Sequence, residues 1–379
     1  MQKNISEKTI LSLFKTKNYW RNLDKSIFFS FILLFILGLF FSFSSTSFIA
    51  DERLNKEYYF FFQKHLLYAS ASFLIMFGIS ILNSRFLNRI LLPIFLIFFF
   101  TLVLVPLIGI EVKGAKRWLN FYVLRFQPIE FIKPFFILVI AQIISSHWIK
   151  SLNISYFFSF ILLSLVIWLL VLQPDLGQSV LIVCSWVSVI FISGFNIYLL
   201  TLLFILFLLI LTGLVFFLPN RFDYIISRVI SFFDSEKGSN FQSTRATEAI
   251  REGSLKGQGV GEGVLKESVP EAHTDYVIAV ISEEYGSIVS ILIISIFLFI
   301  AFRVIKKILN LDNDFYKLAL SGLISLLIFQ TFIHVGVNAN LLPTTGMTLP
   351  FLSYGGSSLL SSGILAGIVL NYTSLNLKN

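Results

Sequence analysis

The sequence predicts an all-α polytopic membrane protein with about ten transmembrane helices, both termini cytoplasmic and one long extracytoplasmic loop ahead of the eighth helix. Three observations carry that prediction. Hydrophobic residues make up 56% of the 379-residue chain and charged residues 13%, where soluble domains carry about 25% charged residues. Forty-four phenylalanines supply more apolar surface than a soluble core can enclose, and lipid accepts it. Apolar runs long enough to cross about 30 Å of hydrocarbon fall near residues 26–49, 63–82, 87–108, 128–146, 155–172, 177–194, 197–218, 275–303, 315–337 and 348–372.

The first run, 26–49, exceeds the length of a signal-peptide core and has no small-residue cleavage site before Asp51, so it is expected to remain as an anchor. Lys3, Lys8, Lys15, Lys17, Arg21 and Lys25 precede it, while Arg53, Lys56 and Lys64 follow it, offset by Asp51, Glu52 and Glu57. That asymmetry puts the 1–25 tail in the cytoplasm. Ten spans return the 373–379 tail to the same side, with Arg85, Arg89, Lys150, Arg303, Lys306 and Lys307 also inside. Pro93, Pro134 and Gly322 interrupt apolar runs in a way membrane helices tolerate. The joints at 173–177 and 194–196 are short enough to be either antiparallel hairpins or breaks in one helix.

Two loops are then extracytoplasmic, 109–127 and 219–274. The shorter one crowds Lys113, Lys116, Arg117 and Arg125, which run against the topological trend and suit an anionic ligand or lipid head groups. The longer one exceeds a plain connector; it holds a helical pattern at 243–252 and glycines at 257, 259, 261 and 263. No βαβ unit surrounds those glycines, so they read as backbone able to approach a ligand closely and not as a nucleotide site. The net charge of +8 is scattered between apolar runs and forms no nucleic-acid patch. The single Cys184 excludes an intramolecular disulfide and a cysteine metal site, and reads as a small core residue.

Charges at membrane depth are costly and usually paired or functional. Glu130 and Lys133, three apart at the start of the fourth span, share a helix face as an ion pair. Glu283 and Glu284 lie about 12 Å beyond Asp275 along the eighth span and have no basic neighbour in sequence, which leaves them protonated or paired with another helix. In the stretch from Pro270 through Glu271, Ala272, His273 and Thr274 to Asp275, either Thr274 or Asp275 can cap the eighth helix. Alternatively, Asp275 is a carboxylate at the mouth of an outward cavity, placed to accept a proton. Between Asn340 and Ser358, two prolines, three glycines and several hydroxyls predict irregular backbone, which a membrane permits only against protein or a polar cavity.

With these residues in hand, the chain closely resembles the SEDS family of shape, elongation, division and sporulation proteins across nearly all of 26–372. The resemblance rests on the run Gly114 to Trp118 and on Gln127, Pro128, Glu130 and Lys133. It continues through Gln173, Pro174, Asp175 and Gly177, then Glu271, His273 and Asp275, then Glu283, Glu284 and Gly286, and ends with the run Leu342 to Ser358. Thr348, between Gly346 and Pro350, and the Glu271 to Asp275 string are closer to the cell-division branch than to the elongation branch. Ile129, His334 and Asn340 depart from the family's usual residues.

The resemblance implies a peptidoglycan glycosyltransferase of the bacterial inner membrane, at the division septum, that polymerises lipid II. Asp275 would be the general base for the acceptor hydroxyl, and attack on the anomeric carbon would expel polyprenyl pyrophosphate with inversion. Lys116, Arg117, Trp118, Glu130, Lys133, His273, Ser353 and Tyr354 would bind substrate, with Lys116 and Arg117 on the pyrophosphate. A class B penicillin-binding transpeptidase and other division proteins are the implied partners, beside the growing glycan strand and membrane lipid. No metal ligand set and no cofactor are expected, and a divalent cation on the pyrophosphate is compatible with the site. A lipid II flippase and a scaffold that only recruits the transpeptidase are the competing functions; both lack polymerisation by the purified chain.

Overall fold

The computed structural model describes residues 19–54, 59–112, 115–121, 124–146, 152–198, 201–202, 205–206, 209, 212–213, 232, 241–268 and 272–374. Most of the run 197–218, expected as the seventh span, and most of 219–240 lie outside the described residues. The short helix α1 (Tyr19–Asn22) leads into α2 (Lys25–Leu54), followed by α3 (Phe60–Ile81) and α4 (Ser84–Ile108). Beyond the sheet described below come α5 (Pro128–Ile144), α6 (Leu152–Leu172) and α7 (Leu176–Ile192). The rest comprises α8 (Phe241–Gly253), α9 (Leu265–Ser268), α10 (Val277–Tyr285), α11 (Ser287–Ile308), α12 (Asp314–Asn338) and α13 (Gly356–Thr373). Among the described residues six helices, α2, α3, α4, α6, α11 and α12, are long and apolar enough to cross a membrane.

The joint at 173–175 is a hairpin. Tyr156 stacks edge-on against Phe195 at 4.7 Å and Phe160 meets Trp186 at 6.2 Å, so α6 and α7 run antiparallel. α5, α12 and α13 form the centre and are buried over most of their length. α13 carries Gly363 and Gly367 one turn apart, and a Cβ at either would collide with α3 backbone at Ser72 or Met76. This small-residue spacing lets two helices pack backbone to backbone where lipid offers no hydrophobic drive for association.

Two expected features change. The basic loop before α5 is not plain loop: β1 (Ile110–Val112), β2 (Ala115–Phe121) and β3 (Leu124–Phe126) make an antiparallel meander in the order β1-β2-β3. Ala115 and Leu119 are buried and Lys116 and Asn120 exposed, with Arg117 and Trp118 half-buried between them. The register then slips: Ile110 faces Trp118 and Glu111 faces Lys116, which places Arg117 at a bulge. A bulge re-aims the side chains beside it.

The eighth span is likewise broken, at Gly286, whose φ is +89°. Backbone of the preceding loop lies directly on the break. Gln258 and Gly259 donate amides to the carbonyls of Glu283 and Glu284, and Ser287 donates to Ser254. The glycine-rich run therefore serves contact with a helix end. A Cβ at Gly257 would fall 2.2 Å from the Glu284 carbonyl oxygen, and one at Gly286 2.2 Å from that of Leu255.

Gly286→Ala tests this joint. Strain at positive φ and the clash with Leu255 together should cost about 2 kcal/mol or more. Thermal unfolding of the purified protein should show a lowered midpoint; an unchanged midpoint would mean the loop is not seated on the break.

Candidate active site

The turns and helix ends at one face of the bundle converge on a cavity of about 210 Å³. The β-meander, the start of α5, the turn before α10 and the irregular stretch before α13 supply its walls, including Arg117, Trp118, Glu130, Asp275, Thr348 and Tyr354. The bulge explains how adjacent residues of one strand, Arg117 and Trp118, both reach it.

Asp275 lies in the turn before α10. The N-cap of that helix is Tyr276, whose side chain makes no capping bond. The cap comes instead from α12: Asn338 Oδ1 accepts from the amide of Ala279 at 3.1 Å, and its Nδ2 donates to the Asp275 carbonyl at 3.0 Å. Asp275 is thus held by its backbone, and the capping role weighed from sequence falls to a residue 63 positions away. Gly346, at φ +69°, passes close by; a Cβ there would sit 3.4 Å from Asp275 Oδ2.

Arg117 is tethered to the α6–α7 turn. Its Nε donates to the Gln173 carbonyl at 3.4 Å and lies 3.6 Å from Asp175 Oδ2, and its Nη2 donates to the Pro174 carbonyl. Asp175 also accepts from Gln127 Nε2 at 3.3 Å and caps α7 through the Gln178 amide. Burial pushes the Asp175 carboxyl up from the usual range, and the Arg117 guanidinium opposes that shift.

Beneath the cavity a buried chain of polar groups crosses three helices. Lys133 Nζ is 2.8 Å from Glu130 Oε2, with the side chains 1% and 6% exposed. Gln178 of α7 donates to Glu130 at 2.7 Å, and Lys133 donates to Gln330 of α12 at 3.1 Å. Gln330 donates to the Thr348 carbonyl at 3.0 Å, and the Thr348 hydroxyl bonds that of Ser358. Each of these side chains has at least one partner inside the protein, while Gln178 Oε1 accepts no bond among the described residues.

Five of the expected site residues, Asp275, Arg117, Trp118, Glu130 and Tyr354, line one cavity. Lys133 sits one bond below it. The His273 ring packs against Phe61 at 4.9 Å and Tyr354 at 5.7 Å, and the His273 carbonyl accepts from the Tyr354 amide. Ser353 is buried in the turn before α13, where its hydroxyl accepts from the Leu349 amide at 2.8 Å. Lys116 is exposed and lies outside the cavity wall.

Glu283 and Glu284 belong to the fold. Glu283 accepts from the amides of Val264 at 2.7 Å and Leu265 at 3.1 Å, and Ser44 donates to Glu284. Gln127, Asp175 and Thr348 stand in the motifs that carry the family resemblance, whereas Gln178 and Gln330 carry no motif. The available signal was an amide or carboxylate inside an apolar run. Among the described residues no cluster of three or more His, Cys, Asp or Glu side chains forms a metal site.

A bundle of long apolar helices with a carboxylate and a guanidinium on one polar cavity defines a membrane-embedded protein with a polar site at one end. The family model described as "cell cycle protein" (FtsW, RodA and SpoVE) matches residues 24–376, and the chain belongs to that family. It is 36% identical over 358 residues to the probable peptidoglycan glycosyltransferase FtsW of Caulobacter vibrioides, covering 93% of this chain and 89% of that one. The Haemophilus influenzae protein of the same name is 32% identical over 357 residues, covering 92% and 89%. Among solved structures, a chain of a peptidoglycan synthase complex aligns with TM-score 0.76 and 25% identity over 94% of this chain and 99% of that one. The rod shape determining protein RodA of Thermus thermophilus aligns with TM-score 0.69 and 25% identity over 94% and 98%.

The Glu130–Lys133 pair is testable by exchange. Lys133→Ala leaves a buried carboxylate unpaired and should cost about 3–5 kcal/mol, read as lost accumulation of the protein. The double exchange Glu130→Lys with Lys133→Glu should restore accumulation, because Gln178 and Gln330 can turn their amides to match. Restored protein without restored activity would assign Glu130 a direct role at the cavity wall.

Proposed function

We propose that this protein is a peptidoglycan glycosyltransferase that polymerises lipid II into glycan strands during cell division, with Asp275 as general base. The observation that carries the reading is the placement of Asp275 and Arg117 on one cavity at the end of the bundle where the outer loops meet. The family and the names of its members supply the reaction class. A lipid-borne substrate requires a membrane-embedded catalyst, and its pyrophosphate requires cations. Arg117 presents a planar donor fork suited to phosphate oxygens, and Lys116 stands on the same strand to meet the charge from the solvent side.

The geometry is compatible with a direct displacement. Asp275 takes the proton from the acceptor sugar's 4-hydroxyl as its oxygen attacks the donor's anomeric carbon. The bond to the pyrophosphate oxygen breaks, and the leaving group departs with the electron pair, its charge held by Arg117. Direct displacement inverts the anomeric centre, and base and leaving-group stabiliser belong on opposite sides of the sugar. Trp118 and Tyr354 provide ring faces on the cavity wall for the sugars. A divalent cation would share the pyrophosphate with Arg117. A class B penicillin-binding transpeptidase is the partner that would cross-link the strand, consistent with the synthase complex among the structural relatives.

The membrane arrangement proposed with this function has about ten spans, both termini cytoplasmic, the cavity facing outward and the protein at the septum. Cysteine labelling tests it. Gln258→Cys, in the outer loop, should react with an impermeant thiol reagent added to intact spheroplasts, and Asn310→Cys, between α11 and α12, should not. The reverse pattern would turn the cavity to the cytoplasm and remove the function with it.

Asp275→Asn tests the base. The Asp275 side chain is not the helix cap, so the amide preserves size and fold while removing basicity. Polymer formed from lipid II by the purified variant with its transpeptidase should fall by about two to four orders of magnitude, while lipid II binding is retained. Near-normal polymer would exclude the base role. Absence of polymer from the wild-type protein as well, with lipid II still crossing the bilayer, would favour a flippase.

A further inference from the structure

At the end of the bundle opposite the cavity, the start of α2 meets the end of α11. Asp24 lies between them with its side chain 2% exposed. It accepts from the amides of Ser26 at 3.1 Å and Ile27 at 3.3 Å, and it pairs with Arg303 at 2.8 Å and Lys307 at 3.7 Å. That carboxylate is fully occupied. Residues 19–27 and 300–309 nevertheless carry five cations, Arg21, Lys25, Arg303, Lys306 and Lys307, against this one acid. Arg21, Lys25 and Lys306 have no acidic partner among the described residues.

Helix electrostatics does not account for the excess. Lys306 and Lys307 suit the last turn of α11, but Lys25 opens the 30-residue α2, where the positive pole of the helix dipole disfavours a cation. The surroundings are apolar and uncovered. Trp20, Phe29, Phe302 and Ile305 are exposed, and Lys306 lies 4.6 Å over the Phe302 ring, which holds its ammonium at the edge of the apolar face. α1 is fixed there by Tyr19, buried and bonded to Ser80 of α3 at 2.6 Å, and this holds the exposed Trp20 beside the start of α2, an indole of the kind that favours lipid head groups.

We propose that this end of the molecule holds an anionic phospholipid, with its headgroup phosphate on Arg21, Lys25 and Lys306 and its acyl chains along the exposed faces of α2 and α11. The unpaired cations select an anion, and the apolar flanks select one that carries chains. Assignment to the inner leaflet rests on the membrane arrangement proposed above; the site itself does not, because lipid binding is read without substrate, turnover or sidedness.

The experiment is native mass spectrometry of the full chain in detergent, titrated with phosphatidylglycerol or phosphatidylcholine. The wild type should retain phosphatidylglycerol in preference to phosphatidylcholine. The triple variant Arg21→Gln, Lys25→Gln, Lys306→Gln keeps Asp24 with both of its partners and should lose that preference, by about fivefold for each charge removed. Lys306→Gln alone should move in the same direction and serves if the triple variant does not accumulate. A control triple in the outer loop, Arg245→Gln, Arg251→Gln, Lys256→Gln, should leave the preference intact. Equal retention of the two lipids by the wild type, an unchanged preference in the variants, or an equal loss in the control would each overturn the proposal. Displacement of the lipid by millimolar inorganic phosphate would assign the cations to a soluble anion and overturn it as well.

Discussion

The Glu130–Lys133 ion pair is the contact on which the geometry of the cavity depends. Two charges 1% and 6% exposed cannot be left to water, so each must be matched inside the protein. Gln178 and Gln330 do that, and in doing so they fix where α7 and α12 stand relative to α5. The chain then continues to Thr348, so the irregular segment that closes the cavity is registered against the same pair. A hydrophobic contact in its place would hold the helices together but would not select one rotation of each, because apolar side chains lack directionality and lipid competes for their surface.

The same constraint explains the unusual backbone. Hydrocarbon satisfies no amide or carbonyl, so each break in a helix must be covered by protein. At Gly286 the loop before α10 supplies the cover, with glycines thin enough to lie on the helix end. Before α13, Phe351 is held at φ +67° and buried against Phe31 and Phe35. Strain of this kind is sustained only when the surrounding packing over-determines it. Here it turns the chain so that Thr348, Tyr354 and Ser358 reach the cavity. The interruptions in the eighth and tenth apolar runs therefore shape the site.

Charge is distributed by the same logic at the two ends of the bundle. At the cavity end, cationic Arg117 is held in place by carbonyls and a buried carboxylate, aimed but still partly exposed. At the far end, Asp24 fastens α11 to the N-terminal segment and leaves other cations facing outward. Arg117 is fixed in one geometry by the α6–α7 turn, which suits the role proposed for it. The surplus on α1, α2 and α11 is exposed, which suits the head group proposed for it, one that needs attraction more than alignment.

Apolar runs, the basic N-terminal flank and the ordered motifs made the membrane class, the family resemblance and Asp275 legible in the amino-acid sequence alone. These are local signals: a run of twenty apolar residues means lipid whatever else is present, and a motif is defined by neighbours in the chain. The i,i+3 spacing likewise disclosed the Glu130–Lys133 pair. Only the tertiary structure decided that Asn338, and not Thr274 or Asp275, caps α10, that Arg117 rests on the α6–α7 turn, and that Glu283 binds backbone amides instead of a cation. The bulge that sends Arg117 and Trp118 to one side of a strand was equally hidden, since it exists only in the pairing of β1 with β2. Each of these contacts joins residues that the chain does not bring together until the helices have packed, and a buried polar group takes whichever partner that packing delivers.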